Sequence, residues 1–207
     1  MIKAILLAAG QSKRLKGENK LIKKFKNKPL INHSLTTLIK SKVKKIVIVL
    51  GYQNKEIKKI VKKNKKNIFV INKKFGLGMS SSIKVGLRKI SKKDNGFIII
   101  QSDMPFIKTS DINKIYNSIL KRKNLVHALK FKNKVGNPIG FDISVLSKFR
   151  KIKGDVGAKF MVKRLKKNTN FIKVSSNKIT FLFFVFLSLL FIISIKIIYL
   201  SLFPGQN

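Results

Sequence analysis

The sequence predicts an α/β protein in three layers, a mainly parallel sheet with helices on both faces. Two observations predict it. Short apolar runs rich in Ile, Leu and Val alternate with stretches of helical spacing over the first 175 residues. Glycine or small polar residues follow several of these runs, as at Gly10, Gly51 and Ser102. The 207 residues suit one such domain of ordinary size.

Each element is justified in turn. Lys3–Ala8 is a short apolar run and reads as a buried strand. Ala9–Lys20 is polar, holds Gly10 and Gly17, and reads as a loop. Pro29–Ile39 reads as a helix with its entry. Lys45–Leu50, KIVIVL, is a strongly β-branched strand closed by Gly51. Lys55–Lys63 has helical spacing, and Ile68–Ile71 is a short third strand. Ser80–Ile90 reads as a helix begun by serines, with Ile83, Leu87 and Ile90 on one face. Phe97–Ile100 is the fourth strand and Ser110–Leu120 another helix. Leu125–Leu129 and Ile139–Phe141 read as strands, Ala158–Leu165 as a helix, and Asn170–Val174 as a last strand. In such sheets ligands sit beyond the carboxyl ends of the strands. That rule selects Ala9–Lys20, Gly51–Tyr52 and Ser102–Pro105 as one rim.

Composition narrows the chemistry. Cysteine is absent, which excludes disulfides, thiolate metal sites and a cysteine nucleophile. There are 47 basic and 7 acidic residues, a formal net charge of +40. Only five of the basic residues are arginine, and the lysines spread over the whole chain. No aromatic RNA-binding motif interleaves them, so no specific nucleic-acid partner is expected. Polyanions should still bind at low salt, and a triphosphate would be drawn into any basic cleft. Carboxylate chemistry has seven candidates: Glu18, Glu56, Asp94, Asp103, Asp111, Asp142 and Asp155.

Two segments carry chemistry. In LLAAGQSKRLKGENKL, Leu6–Leu21, a strand runs into a loop with Gly10, Ser12, Arg14, Gly17 and Lys20. Gly10 allows a tight turn and a close approach to a ligand. Successive loop amides can cradle phosphate oxygens, and Arg14 and Lys20 add positive charge. The glycine spacing fits neither a Walker loop nor a dinucleotide fingerprint. Taken alone, the segment also reads as a solvated basic loop. In IIIQSDMPF, Ile98–Phe106, an apolar strand delivers Asp103 at its carboxyl end and Pro105 stops further pairing. A carboxylate there suits Mg²⁺, a hard cation that prefers oxygen and bridges to phosphates. A turn or capping aspartate is the competing reading. His33 and His127 lie outside both segments and read as structural.

Together the two segments, followed by GLGMSSSIKVGL at Gly76–Leu87, GNPIGF at Gly136–Phe141 and KGDVGAKFM at Lys153–Met161, resemble the molybdenum-cofactor nucleotidyltransferases of the MobA-like NTP transferase family. The resemblance covers about Met1–Val174. It implies a Rossmann-like nucleotidyltransferase fold for residues 1–175, and transfer of CMP from CTP to the phosphate of molybdopterin cofactor. CTP is implied over GTP because the guanylyl branch reads LAGG where this chain has Leu7-Ala8-Ala9-Gly10.

The resemblance also implies roles for single residues. Leu7, Ala8, Ala9, Gly10 and Ser12 would line the nucleotide site. Arg14 and Lys20 would hold the phosphates, with Lys20 nearest the transferred group. Asp103 would bind Mg²⁺. Ser80, Ser81 and Ser82, at a helix start, would lie near the nucleotide or its sugar. Gly136, Asn137, Pro138 and Asp155 would belong to the acceptor side, and Asp155 also reads as a turn aspartate. Relatives carry a second metal-binding carboxylate near the C-terminus, and no acidic residue follows Asp155 here. A phosphorylated sugar or another phosphorylated alcohol is the alternative acceptor on this fold. A membrane-tethered nucleotide-binding protein with impaired catalysis is a second alternative.

Residues 176–207 differ from all before them. Ile179–Ile195 carries no charge, and Ile197–Phe203 is apolar again. A span takes about 17–25 mostly apolar residues, so the stretch reads as an apolar helix at about residues 179–203 that could anchor the chain. Basic residues before it would keep the domain cytoplasmic. A shifted reading frame near Ser175–Thr180 is the competing origin.

Overall fold

The computed structural model describes residues 1–12 and 18–174. Arg14, Gly17 and the apolar tail expected as a helix lie outside these described residues. Among the described residues nine strands and five α-helices follow in order. Strand β1 is Ile2–Ala8, and a two-residue hairpin, β2 (Lys24–Phe25) and β3 (Lys28–Pro29), leads into helix α1 (Leu30–Lys40). Then come β4 (Lys45–Leu50), α2 (Asn54–Ile60), β5 (Asn67–Ile71) and α3 (Met79–Leu87). Next are β6 (Gly96–Gln101), α4 (Thr109–Leu120), β7 (Val126–Phe131) and β8 (Lys134–Asp142). The described residues close with α5 (Lys159–Arg164) and β9 (Thr169–Lys173).

Seven strands form one sheet in the order β5-β4-β1-β6-β8-β7-β9. The first four are parallel neighbours, with Ile5 beside Val47 and Ile99. Strand β8 runs antiparallel to both β6 and β7, and β9 returns parallel to β7. The central strands are almost wholly buried, as their continuous apolar sequence requires when both faces are covered. Alternation along β1 divides the core in two. Ile2, Ala4, Leu6 and Ala8 join a cluster with Leu35, Leu38 and Ile112 of α1 and α4. Ile5 and Leu7 face the other way, towards Ile83 of α3 and Met161 of α5. In that second layer Phe97 and Phe141 stack, and Phe149 meets both edge to face, with its ring centroid 5.0 Å from that of Phe141.

Three local readings are corrected. The strand expected at Ile139–Phe141 begins five residues earlier, at Lys134. Gly136 pairs with Leu129 of β7 and Ile139 with Ala128, so Asn137 and Pro138 form an irregularity within the strand where the register shifts between Ala128 and Leu129. Ile143–Lys151 forms 3-10 turns that bury Val145 and Phe149, an element with too irregular a pattern to read from spacing. The β2–β3 hairpin is also missed, because its strands are only two residues long.

Candidate active site

The parallel strands β1 and β6 end side by side, and each delivers part of the site. Ser102, just past β6, gives both its N–H (3.2 Å) and its hydroxyl (2.7 Å) to the Leu7 carbonyl of β1. The next residue, Asp103, therefore stands beside the loop that leaves β1. Its Oδ2 meets the Lys20 ammonium at 2.5 Å, and both side chains are partly open to solvent. Ser34 of α1 supports this turn from beneath. Its buried Oγ accepts the Met104 N–H at 3.2 Å and lies within hydrogen-bond reach of the Ser102 and Met104 carbonyls.

The returning end of the β1 loop is held at several points. Ser12 Oγ accepts the Lys20 N–H at 3.1 Å. Buried Asn19 donates to the Tyr52 carbonyl at 3.4 Å, and Tyr52 N–H donates to the Ala9 carbonyl at 3.4 Å. The three rim segments expected from the strand ends thus meet. Gly51 makes this possible: a Cβ there would stand 2.7 Å from the Ala9 Cβ.

A second wall comes from α3 and the Lys153–Gly157 loop. Asp155 Oδ1 accepts the Met79 N–H at 3.2 Å, at the start of α3, and Ser80 N–H donates to the Gly154 carbonyl at 3.2 Å. The two loops touch at Gly78, whose φ is +92°. The three serines divide. Ser82 lines the cleft between the walls. Ser80 and Ser81 line a separate pocket. Ser81 Oγ reaches the Lys74 and Gly78 carbonyls, and Asn72 donates to Ser81 and Ser82. These serines tie a loop to the helix start.

The cleft encloses about 400 Å³. Leu7, Ala9, Gly10 and Lys20 line it on one side, and Met79, Ser82 and Asp155 on the other, with Gln101 to Asp103 at the base. Ala8 is buried under it. The seven acids now separate by task. Asp94 pairs with Lys3, Asp111 and Asp142 cap turns, Glu18 pairs with Lys23, and Glu56 sits in the first turn of α2. Asp103 and Asp155 line the cleft.

Asp103 Oδ1 and Asp155 Oδ2 have no hydrogen-bond partner among the described residues. Two open carboxylate oxygens lining one cleft are the donor chemistry that a hard divalent cation takes. The described residues hold no cluster of three candidate ligands. No described helix is long and apolar enough to cross a membrane.

Gly136 and Asn137 line a neighbouring pocket that shares Gln101 with the cleft, and Pro138 is buried behind them. Both histidines are structural. His33 Nε2 meets the Phe25 carbonyl at 2.7 Å. His127 is buried, bonded through Nδ1 to Ser118 Oγ at 2.7 Å, and burial pushes its pKa below the usual histidine value. Ser34, Asn19 and Gln101 were missed from the sequence. Ser34 lies outside both segments, and Asn19 and Gln101 lie within them without a residue type that marks a role, so only their contacts give them one.

The family model for the MobA-like NTP transferase domain matches residues 4–169. The bifunctional protein GlmU of Clostridioides difficile is 30% identical over 155 residues, covering 74% of this chain and 32% of that protein. A 2-C-methyl-D-erythritol 4-phosphate cytidylyltransferase of Lachnoclostridium phytofermentans is 31% identical over 141 residues, 65% of this chain and 58% of its own length. The chain thus spans about a third of the first relative and just over half of the second. Among solved structures, Rv0371c of Mycobacterium tuberculosis superposes with a TM-score of 0.73 at 18% identity, over 84% of this chain and 88% of that one. A manganese complex of Rv0371c is also similar, with a TM-score of 0.70.

Proposed function

The chain belongs to the MobA-like NTP transferase family, and from that premise we propose that it moves a nucleoside monophosphate from a pyrimidine triphosphate, CTP first, onto a phosphorylated sugar or polyol. An acceptor phosphate oxygen attacks the α-phosphorus. The bond from the α-phosphorus to the bridging oxygen breaks, and pyrophosphate leaves. Such chemistry rests on positioning and charge neutralisation.

The observation that carries this reading is the Lys20–Asp103 pair at the ends of β1 and β6. A cation and a carboxylate are held there together in one cleft, each from a separate loop. Lys20 would shed Asp103 for a phosphate oxygen and stabilise charge on the transferred group. Arg14, on the same loop, is proposed to assist. Leu7, Ala9, Gly10 and Ser82 would shape the nucleoside end. Asp103 and Asp155 would hold Mg²⁺, which would offset triphosphate charge.

A sugar or polyol phosphate is placed ahead of molybdopterin as acceptor. The cytidylyltransferase relative is named for a polyol phosphate and for cytidylyl transfer, which supports CTP. The test incubates the full chain and Mg²⁺ with each NTP against glucose 1-phosphate, methylerythritol 4-phosphate and molybdopterin. Pyrophosphate release with CTP or UTP and one of the first two acceptors is expected. Release with molybdopterin alone restores the narrower reading. No release with any pair defeats the proposal.

A further inference from the structure

The pocket beyond Gln101 is built differently from the cleft it adjoins. It has a volume of about 680 Å³. Strand β8 pairs with β6 only as far as Ile139 opposite Ile99, so the earlier residues of β8 run on past that pairing and wall the pocket. Lys134 stands on this wall. Lys159 and Lys163 face it from α5, one helical turn apart, and Lys166 follows just after the helix. All four lysines are exposed, and none has a carboxylate or hydrogen-bonding partner for its ammonium among the described residues. No acidic residue lines the pocket. Lysines at i and i+4 repel each other, and an anion between them would relieve that.

A second observation points to a ligand independently of charge. Asn137 lines the same pocket, and its Oδ1 is buried without a hydrogen-bond partner. Buried polar atoms are normally satisfied, and an acceptor left open beside a cavity calls for a donor from outside. A sugar or polyol hydroxyl is such a donor.

We infer that the acceptor carries a second anionic group, and that Lys159 and Lys163, with Lys134 and Lys166, receive it while Asn137 takes a hydroxyl of the carbon skeleton. This rests on the transferase reading above, and it narrows the acceptor to a bis-anionic sugar or polyol. The first phosphate would lie in the cleft near Lys20 and Asp103. The second would lie past Gln101, the residue common to both spaces.

The experiment uses the full chain saturated with Mg²⁺ and a non-hydrolysable CTP analogue. Calorimetry compares glucose 1,6-bisphosphate with glucose 1-phosphate. The bisphosphate should bind about tenfold tighter, the equivalent of one charge-assisted contact. Lys159→Gln/Lys163→Gln should reduce that advantage to under about threefold without changing the affinity for the monophosphate or the analogue. Lys63→Gln/Lys65→Gln, an equal loss of charge on the exposed surface, should leave it intact. Should the α5 double variant fail to fold by circular dichroism, exposed Lys166→Gln is the substitute, with a smaller loss in the same direction. Equal binding of the two probes overturns the inference while leaving the transferase reading standing. So does an equal loss in the surface control. Failure of the CTP analogue to bind defeats both.

Discussion

Replacing Gly78 with alanine should loosen the fold and the site together. Gly78 has φ +92° and ψ 175°, a region that is essentially reserved for glycine. Holding alanine there costs roughly 1–3 kcal/mol. The new Cβ would stand 2.5 Å from the Gly154 carbonyl carbon, 2.6 Å from its oxygen and 2.7 Å from the Asp155 nitrogen. These are backbone atoms, so one loop must move as a unit, at a further cost of roughly 1–3 kcal/mol. The unfolded alanine chain loses some entropy, which offsets about 0.4–1 kcal/mol. The net destabilisation is roughly 1–6 kcal/mol, a large share of the roughly 5–15 kcal/mol that holds a typical domain. For a chain of this size that lowers Tm by roughly 2–22 °C. The displaced loop carries Asp155 away from Met79, so the Ser80–Gly154 and Met79–Asp155 bonds should break with it. Thermal and urea denaturation measure the first effect, and CTP titration the second. A Tm within 2 °C of wild type (about 1 kcal/mol or less) together with unchanged CTP affinity would refute the argument.

Three more outcomes are expected. Lys20→Met should lower kcat/KM by roughly 10²–10³-fold, as loss of a preorganised charge at the transferred phosphate does; steady-state pyrophosphate release checks it, and a loss below about tenfold places Lys20 outside the chemistry. Ser34→Ala should cost about 1–3 kcal/mol, because the Met104 N–H and two carbonyls lose a buried partner, and urea unfolding reads it directly. His127 prefers to stay neutral when folded, so its contribution to stability is full above pH 6.5 and is lost as pH falls through the lowered folded pKa. Denaturation midpoints from pH 8 to pH 5 should fall in the wild type and fall less in His127→Gln; parallel slopes in the two proteins would exclude His127 as the cause.

Apolar runs bounded by glycine or polar residues were enough to locate the parallel half of the sheet. Lys45–Leu50 was read to the residue, and β1 and β6 to within a residue at either end, because strands covered on both faces must be apolar throughout. The α/β class, the rim at the strand ends and the family resemblance all follow from that local information. Where tertiary pairing competes with local preference, the reading failed. Gly136, Asn137 and Pro138 have turn chemistry, and strand β8 runs through them only because β7 pairs with Gly136 on one side of the register shift and Ile139 on the other.

The candidate site shows the same division. Gly10, Lys20 and Asp103 stand out in the sequence, since a strand-to-loop junction with such residues suggests phosphate and metal. That Lys20 and Asp103 meet across 83 residues is a property of adjacent parallel strands. Ser80, Ser81 and Ser82 look equivalent in sequence, but helix geometry turns them to different faces and leaves Ser82 at the cleft. Asp155 reads equally as a turn residue or a functional one, and in the fold it caps α3 while lining the cleft. The sequence by itself determined which chemistry is present, through residue type and local spacing. Only the tertiary structure decided which of those residues share one cavity, because that depends on contacts between segments far apart in the chain.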